Sequence, residues 1–507
     1  MKNRLVTIAI LLFVFMMAFF LRTLYLKEGN LTFGYDQARD ATNAIQISNG
    51  DFKIQGPPSS APGLFHGVLW YYFLSPAYSI GDGNPIFAGY YLAFFNALTV
   101  FLVFGLTYHL TNKSIAKSML ASLLFAISFE ATQYATWLSN PTLGVITVPL
   151  VYLGLWLWVN KLNKYAPIIT AIGLGLSIQS EIFLAYHIVP LLIWLTVYRN
   201  NIQKSQILTF VSTFSLSLVS FLLCEFKFGF SGIEGVKNLL IGENGNLAYA
   251  KSLGDFIILY LNQVGRIFAF NSFPINIGYG GGFVIGLIIA SFASKKVEKI
   301  FLSSWLLSHL SVVSVGGVST PFLMVGIGPA VSILIALYLL DWYKNGYKIL
   351  AILIFIILII GNLTMIFKEN KKGSTLFSIQ NEMTIKNQLA AIDYTYKVSD
   401  KKLFTVNSLT SPLYINIVWS YLYNWYGNQK YGYVPTYHGR DQIGQINKLA
   451  DYKGETTLGF LIIEPMGGIP VRYLDEVLNY QDDISKLIEE KNWGELRVQK
   501  RNLYVKK

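Results

Sequence analysis

Two adjoining stretches decide the fold of this chain: the apolar run LVTIAILLFVFMMAFFLRTLYL at positions 5–26 and the acidic segment GYDQARD at 34–40. The first is long enough to cross a hydrocarbon core of about 30 Å as a helix. It is longer than the apolar part of a signal peptide and no small-residue cleavage site follows it, so we expect a retained helix. Two carboxylates, Asp36 and Asp40, then stand at the edge of a membrane, where charge is costly to hold.

The composition of the whole chain indicates a membrane protein. Of its 507 residues 53% are hydrophobic and 13% are charged, and the mean hydropathy is +0.45, whereas soluble domains average about 25% charged residues. The expected fold is a polytopic α-helical membrane protein with about 11 transmembrane helices. The predicted spans lie near 5–26, 86–110, 115–131, 142–160, 165–182, 183–198, 206–223, 279–294, 300–317, 321–341 and 347–367.

The distribution of charge predicts the orientation. With the N-terminus inside, the inner segments hold 13 basic and two acidic residues, which accounts for +11 of the net charge of +12. Because positive charge is retained on the cytoplasmic side, we place the N-terminus there and the C-terminal part outside. This asymmetry explains the basic character of the chain better than a nucleic-acid partner would, so we expect none.

One segment leaves the topology open. Residues 255–270 are amphipathic enough to lie at the interface, but they could instead span the membrane. A span there would reverse every later segment and would move Lys295, Lys296 and Lys299 outside. We prefer the interfacial arrangement, which keeps these lysines inside.

Three regions follow from this topology. Residues 1–367 form the transmembrane domain, and within it residues 27–85 form an outer loop too long to be a simple connector. The aromatic stretch LWYYFLSP at 69–76 suits the headgroup region. Residues 368–507 have ordinary soluble composition and predict a small extracytoplasmic α/β domain. Its expected strands lie near 403–407, 458–463 and 497–507, and its expected helices near 379–398, 412–426 and 471–490.

Asp36 and Asp40 are the strongest candidates for chemistry. If 36–48 is helical, the two carboxylates share one face about 6 Å apart and repel each other unless a cation lies between them. That cation could be a divalent metal, a substrate phosphate with its metal, or Arg39. One carboxylate could instead carry a proton and act as acid or base. The alternative is an ordinary solvated helix beside the membrane.

Three further polar residues are candidates, one in the first outer loop and two at the outer ends of predicted spans. His66, in the turn GLFHG, could orient a phosphate or bind a metal, although a lone histidine in an aromatic turn is as often structural. Glu181 and Glu130 each end a span and should face the bundle rather than lipid. Either acid could be functional or simply paired.

The candidate metal is a hard cation. One cysteine and five histidines make an all-protein zinc site unexpected. A metal, if one is used, should be Mg²⁺ or Mn²⁺ on oxygen ligands, with Asp36 and Asp40 as the possible ligands.

Several short motifs resemble those of a known group of enzymes. YDQARD at 35–40, GPP at 56–58 with FHG at 65–67, and NP at 140–141 are similar to the acidic first outer loop and proline-rich stretch of the GT-C fold glycosyltransferases. The resemblance points to the protein O-mannosyltransferases, the aminoarabinose transferases and the RgtA/B/C/D-like bacterial group. It covers residues 1–367 in layout.

The resemblance implies transfer of a sugar, with inversion, from a polyprenyl-phosphate donor to a protein, lipid or glycan acceptor. The reaction would occur on the outer face of the inner (cytoplasmic) membrane. The family's first-loop acid is the general base, a role that carries over to Asp36 with Asp40 as the alternative. This chain lacks the adjacent Asp-Glu pair of several members, so the choice of base and the need for a metal stay open.

Physical reasoning gives the remaining expectations. A departing phosphate needs cationic or metal stabilisation, which Arg39, His66 or a metal could supply. We also expect Tyr35 and Glu181 to contact the substrate. The rival interpretations are a transporter or flippase for lipid-linked saccharides, a polymerase or ligase that uses the same donor, and a non-catalytic assembly protein.

Overall fold

The computed structural model describes residues 2–59, 63–241, 253–311, 321–440, 442 and 445–504. Most of these residues are helical. In chain order the α-helices are α1 Lys2–Thr23, α2 Tyr35–Ser48, α3 Leu69–Ile80, α4 Pro85–Leu110, α5 Ile115–Ala126, α6 Phe129–Ala135, α7 Gly144–Val159, α8 Ala166–Ser180, α9 Ile188–Val197, α10 Lys204–Ser217, α11 Val219–Lys227, α12 Ser231–Ile241, α13 Leu253–Phe270, α14 Ile277–Ser294, α15 Val297–Leu306, α16 Gly328–Lys344, α17 Lys348–Glu369, α18 Ile385–Ser399, α19 Ile417–Leu422, α20 Asn428–Tyr431 and α21 Val471–Ile484. The strands are β1 Thr405–Leu409, β2 Thr436–Tyr437, β3 Leu458–Ile463, β4 Ser485–Trp493 and β5 Leu496–Leu503.

The long apolar helices indicate a multi-pass membrane protein, because only a helix satisfies its own backbone hydrogen bonds in lipid. Within the described residues, five helices are long and apolar enough to cross a membrane, or up to seven if two bent pairs each count as one span. All eleven predicted spans fall on helical segments, but a total of eleven is not confirmed. Several of these helices are short, and residues 312–317 of one predicted span lie outside the described part.

A sharp bend between α5 and α6 shapes the bundle near the loops. The two helices meet at an angle of 57°. The side chain of Arg22, buried in the bundle, donates hydrogen bonds to the carbonyl oxygen of Ala126 at 2.9 Å and to Asn96 Oδ1 at 2.6 Å. A cation is favourable beside the last carbonyls of a helix, so Arg22 stabilises the break. The bend directs the chain after α6 toward the candidate site described below.

Basic residues predicted to lie inside come together at one end of the bundle. Asp341 Oδ1 lies 2.8 Å from Lys117 Nζ, and Asp341 Oδ2 lies 3.0 Å from Lys299 Nζ and 3.4 Å from Lys296 Nζ. Lys117 follows the C-terminal end of α4, whose 26 residues span about 39 Å. The residues before α4 contact the C-terminal part of the chain, so these lysines lie at the far end of the bundle.

The position of α13 does not settle whether that helix crosses the membrane. Gly265 approaches Gly281 and Ala269 approaches Gly280, so α13 runs antiparallel along α14. Lys296, just after α14, lies with Lys117, as the preferred arrangement requires. Which end of the bundle is cytoplasmic remains a prediction.

The C-terminal segment forms one five-stranded mixed sheet with the strand order β2-β1-β3-β5-β4. Strand β1 is parallel to β2 and to β3, whereas β5 is antiparallel to β3 and to β4. The predicted strand 458–463 is confirmed at both ends, and the one predicted at 403–407 begins two residues later.

The predicted helix at 471–490 is wrong in its last part. Helix α21 ends at Ile484, and β4 begins at Ser485 and pairs with β5. The charged residues that favour a helix there lie on an exposed edge strand, so strand pairing outweighs local propensity. The predicted helix at 379–398 begins only at Ile385, where the Thr384 side chain caps it by accepting a hydrogen bond from the Asn387 N–H.

The first outer loop and the C-terminal segment share one hydrophobic core. Buried side chains of α2, α3 and the sheet belong to a single cluster. The Phe33 N–H donates to the Met383 carbonyl at 2.9 Å, and Tyr421 Oη donates to the Gly83 carbonyl at 2.6 Å. A domain boundary at 367/368 therefore stays a prediction, since the two segments pack as one unit.

Two side chains of the aromatic stretch 69–76 are buried inside the protein. Trp70 and Tyr71 of α3 lie beneath α2, and the indole N–H of Trp70 has its partner in the same loop. A position of this stretch in the headgroup region stays a prediction.

Candidate functional site

A cavity of about 460 Å³ lies between α2, residues 58–59 and 66 of the first outer loop, the bundle and the C-terminal segment. Helix α2 contributes one wall and the C-terminal segment contributes the rim. The lining side chains that matter below are Tyr35, Asp36, Arg39, His66, Trp137, Asn140, Glu181, Phe377, Gln380 and Ser411. Five of the six site residues proposed from sequence thus line one cavity: Tyr35, Asp36, Arg39, His66 and Glu181.

Arg39 is the cation between the two carboxylates. Its Nη1 lies 2.8 Å from Asp36 Oδ1, and its Nη2 lies 2.7 Å from Asp40 Oδ1. Burial lowers the pKa of the Arg39 guanidinium, but the charges of Asp40 and Asp36 outweigh it and raise that pKa overall. Tyr35 supports the group from one side, with its ring centroid 5.4 Å from the guanidinium carbon. Of the three sources of positive charge that the sequence left open, the structure contains the arginine.

Asp40 is held inside the protein and does not line the cavity. Its side chain is 0% exposed, and its Oδ2 accepts a hydrogen bond from Trp70 Nε1 at 2.8 Å. Burial raises the pKa of the Asp40 carboxyl to about 6, against the opposing effect of Arg39. With both oxygens engaged, Asp40 is suited to position Arg39 rather than to contact a substrate.

Asp36 is the accessible carboxylate. Its side chain is 55% exposed, whereas that of Arg39 is 11% exposed. Arg39 fixes one of its oxygens, so the carboxylate is oriented and still reaches the cavity. This is the arrangement that a general base requires: a defined direction and access to the proton that it takes.

A metal shared by Asp36 and Asp40 does not fit this arrangement. The guanidinium of Arg39 lies between the carboxylates, and both oxygens of the buried Asp40 already have partners. Among the described residues, no group of three or more His, Cys, Asp or Glu side chains could hold a metal ion.

His66 and Glu181 form a second polar contact in the cavity wall. Both are buried, and His66 Nδ1 lies 3.5 Å from Glu181 Oε1. The Ile182 N–H donates to His66 Nδ1 at 3.3 Å, so this nitrogen is an acceptor and a neutral ring carries its proton on Nε2. Burial, together with the charge of Arg39, lowers the pKa of His66 to about 3, so the ring is neutral at physiological pH.

Glu181 retains an unused oxygen. Its Oε1 accepts a hydrogen bond from the Phe183 N–H at 3.4 Å, whereas its Oε2 is buried without a partner within the described part of the chain. A buried polar atom without a partner is costly, which is typical of an atom that binds a ligand.

Glu130 lies deeper and outside the cavity lining. Its Oε2 accepts a hydrogen bond from Asn271, whose own Oδ1 accepts one from Ser128 Oγ at 2.7 Å. This network joins α6 to the end of α13, so the structure gives Glu130 a role in packing.

The rim of the cavity contains residues that the sequence did not indicate. The ring of Phe377 stacks on those of Trp137 and Tyr134 at 4.6 Å each. These residues are about 240 positions apart in the chain, so no local pattern could have revealed the contact. The stack fixes the start of the C-terminal segment against the bundle.

Glu464 does not line the cavity but holds two residues of the same rim, Ser411 and Gln380. Its carboxylate accepts hydrogen bonds from the Ser411 N–H at 2.9 Å, from Trp419 Nε1 at 3.0 Å and from Gln380 Nε2 at 3.1 Å. Burial raises the pKa of the Glu464 carboxyl to about 7. Asn140, from the motif at 140–141, donates to the Ser180 carbonyl at 2.6 Å and holds the bundle side of the cavity.

Comparison with known proteins identifies the fold. The aminoarabinose transferase ArnT from Cupriavidus metallidurans, in the apo state, superposes with a TM-score of 0.59 at 10% identity over 98% of each chain. The same protein bound to undecaprenyl phosphate gives a TM-score of 0.57 at 10% identity over 98% of each chain. This chain therefore has the GT-C fold that the resemblance in its sequence predicted.

Other comparisons add less. AglB, an archaeal oligosaccharyltransferase from Archaeoglobus fulgidus in complex with an inhibitory peptide and a dolichol-phosphate, gives a TM-score of 0.48 at 13% identity. That match covers 85% of this chain and 64% of the other, and is too weak to assign a fold. No protein-family model matches the sequence, and no curated protein sequence matches it significantly.

Proposed function

We propose that this protein is a membrane glycosyltransferase. It transfers a sugar from a polyprenyl-phosphate donor to an acceptor hydroxyl on the outer face of the cytoplasmic membrane, and Asp36 is the general base. The observation that carries the proposal is a half-exposed carboxylate, oriented by Arg39, in the wall of a cavity of about 460 Å³. The fold shared with ArnT supports the same conclusion.

In the proposed step Asp36 takes the proton of the acceptor hydroxyl, and the hydroxyl oxygen attacks the anomeric carbon of the donor sugar. The bond between that carbon and the donor phosphate breaks, and the lipid phosphate leaves with the electron pair. A single displacement of this kind inverts the anomeric configuration.

The donor phosphate requires partners in the cavity. Arg39 is the only arginine or lysine among the described lining residues, and its charge is already balanced by Asp36 and Asp40. We assign a second donor to neutral His66, whose Nε2–H can bind a phosphate oxygen. The two groups stabilise the negative charge that develops as the phosphate departs.

The test is the variant Asp36→Asn in the full-length protein in lipid nanodiscs. The lipid-phosphate sugar that copurifies with the protein is first identified by mass spectrometry and is then supplied as donor. Loss of a general base should reduce transfer by roughly 10²- to 10⁴-fold. The thermal unfolding midpoint should not change, because Asp36 is half exposed.

The matched control is Asp51→Asn in the same loop, which removes an exposed carboxylate paired with Lys53 and should leave transfer unchanged. Full transfer by Asp36→Asn would exclude Asp36 as the base. Movement of the lipid-linked sugar across proteoliposomes with no new glycosidic bond would replace the enzyme by a transporter.

A further inference from the structure

A second cavity, of about 360 Å³, lies within the C-terminal segment. It opens where the parallel strands β1 and β2 end, and it is lined by Asn407 and Ser408 of β1 and by Tyr437 of β2. In α/β sheets the carboxyl ends of parallel strands are the usual place for a ligand. Gly439 lies close to Asn407 and Tyr437, so a larger residue there would clash with two side chains that line the cavity.

The rim of this cavity combines aromatic rings with a balanced ion pair. The guanidinium carbon of Arg440 lies 3.9 Å from the ring centroid of Tyr414, and Arg440 is also paired with Glu476 of α21. Tyr480, one turn further along α21, adds a ring that is 48% exposed. The pair has no net charge, so an anionic phosphate would have to displace Glu476.

These groups match the chemistry of a saccharide. The C–H face of a pyranose ring packs on an aromatic ring, which offers a large apolar surface at little conformational cost. Ring hydroxyls both donate and accept, so they suit the amide of Asn407 and the two charged side chains of the rim. A lipid tail would find too many polar atoms here.

The two cavities share a wall. Ser411 and Pro412 line the first cavity, and Ser408 and Tyr414, on either side of them in the chain, line the second. Three residues of chain span at most about 10 Å, roughly the length of two sugar units, so the two cavities are close together at this wall. One oligosaccharide could therefore occupy both cavities at once.

We propose that the second cavity binds the inner sugars of a glycan acceptor, while the acceptor's terminal hydroxyl reaches Asp36. This inference rests on the proposed function and names its acceptor class: an oligosaccharide of at least three units, rather than a peptide or a simple lipid.

The test measures glycan binding without catalysis. The full chain in nanodiscs is screened on an array of neutral, amino and acidic oligosaccharides free of lipid and phosphate, and the affinity for the best ligand is then measured by calorimetry. Tyr480→Ala should weaken this binding by about fivefold, the value of one aromatic contact. Glu476→Gln should weaken it as well and should not alter the fold, since the residue is half exposed.

Two controls separate this inference from the proposed function. Tyr504→Ala removes a tyrosine of similar exposure, 56%, outside both cavities and should bind as the wild type does. Asp36→Asn should keep glycan affinity although it loses transfer.

Several results would overturn the inference. They are a wild-type protein that binds no glycan on the array, a Tyr480→Ala variant that binds with wild-type affinity, and single sugars that bind as tightly as trisaccharides. Transfer to a non-glycan acceptor with no glycan binding would refute this inference and leave the proposed function standing. Glycan binding without any transfer by the wild type would refute the proposed function instead.

Discussion

Two charge clusters at opposite ends of the bundle are built in opposite ways. In the candidate site one arginine lies between two carboxylates, Asp36 and Asp40, and most of the cluster is buried. At the other end one carboxylate, Asp341, lies among three lysines, of which Lys296 is 53% exposed. The first cluster carries surplus negative charge and the second surplus positive charge.

The difference shows what each cluster is suited to do. The lysines around Asp341 anchor an end of the bundle and match a charge pattern that governs membrane orientation. Around Arg39, burial makes the charges of Arg39 and Asp40 depend on each other, and of the two carboxylates only that of Asp36 lines the cavity. The cluster around Asp341 should tolerate the loss of a lysine, whereas the cluster around Arg39 should not tolerate the loss of its arginine.

The largest effect should come from Arg39→Met. Without the guanidinium, Asp40 is a buried charge with only Trp70 as a partner, and removing one member of a buried pair costs about 3–5 kcal/mol. The thermal unfolding midpoint in nanodiscs should fall sharply. The double variant Arg39→Met, Asp40→Leu should recover part of the loss, and a double variant no more stable than the single one would contradict this account.

The next effect is a dependence of stability on pH. Burial raises the pKa of the Asp40 carboxyl from 3.8 to about 6. Between these values the folded protein keeps a proton that the unfolded chain has lost, so this group's contribution to stability falls as the pH rises from about 4 to 6. The change is on the order of 3 kcal/mol.

Unfolding midpoints of the wild type and of Asp40→Asn, measured at pH 4 and pH 7, test this dependence. The decline toward pH 7 should be smaller in the variant, which cannot titrate at this position. Equal declines in the two proteins would show that Asp40 does not titrate in this range.

A smaller effect is expected from Trp70→Phe. The change removes the N–H that donates to Asp40 Oδ2, a hydrogen bond to a charged group worth about 1.5–3 kcal/mol. It should also raise the pKa of Asp40 further, because the hydrogen bond favours the charged form. The control is Trp425→Phe. The buried Nε1 of Trp425 has no partner within the described part of the chain, so its removal should lower stability less and should not change the pKa of Asp40.

The smallest effect should come from Lys296→Gln at the other cluster. Two lysines remain beside Asp341, and an exposed ion pair is worth about 0–1 kcal/mol. The unfolding midpoint should barely move. A loss as large as that of Arg39→Met would mean that the two clusters are not different in kind.

Much of the bundle could be predicted from sequence. Within the described residues each predicted span overlaps helical structure, because the cost of exposing apolar or polar atoms in lipid is set residue by residue. The helix carrying Asp36 and Asp40 was also expected, as was Arg39 as one possible cation between them. The strand at 485–493 was missed because its charged residues favour a helix locally and only β5 makes it a strand.

The candidate site was predictable only in part. Asp36, Arg39, His66 and Glu181 were proposed from their positions, and they line one cavity. The roles of the two aspartates could not be separated, since the indole that buries Asp40 lies 30 residues further along the chain. Phe377 and Glu464 lie further still and gave no local signal.

The sequence alone determined that this chain crosses a membrane several times, where its positive charge gathers, and that an acidic helix follows the first span. These properties follow from transfer energies that each short segment carries by itself. Only the tertiary structure decided that Asp40 is buried, that Asp36 faces a cavity and that the C-terminal segment closes its rim. Burial is a property of neighbours in space, and in this protein those neighbours come from opposite ends of the chain.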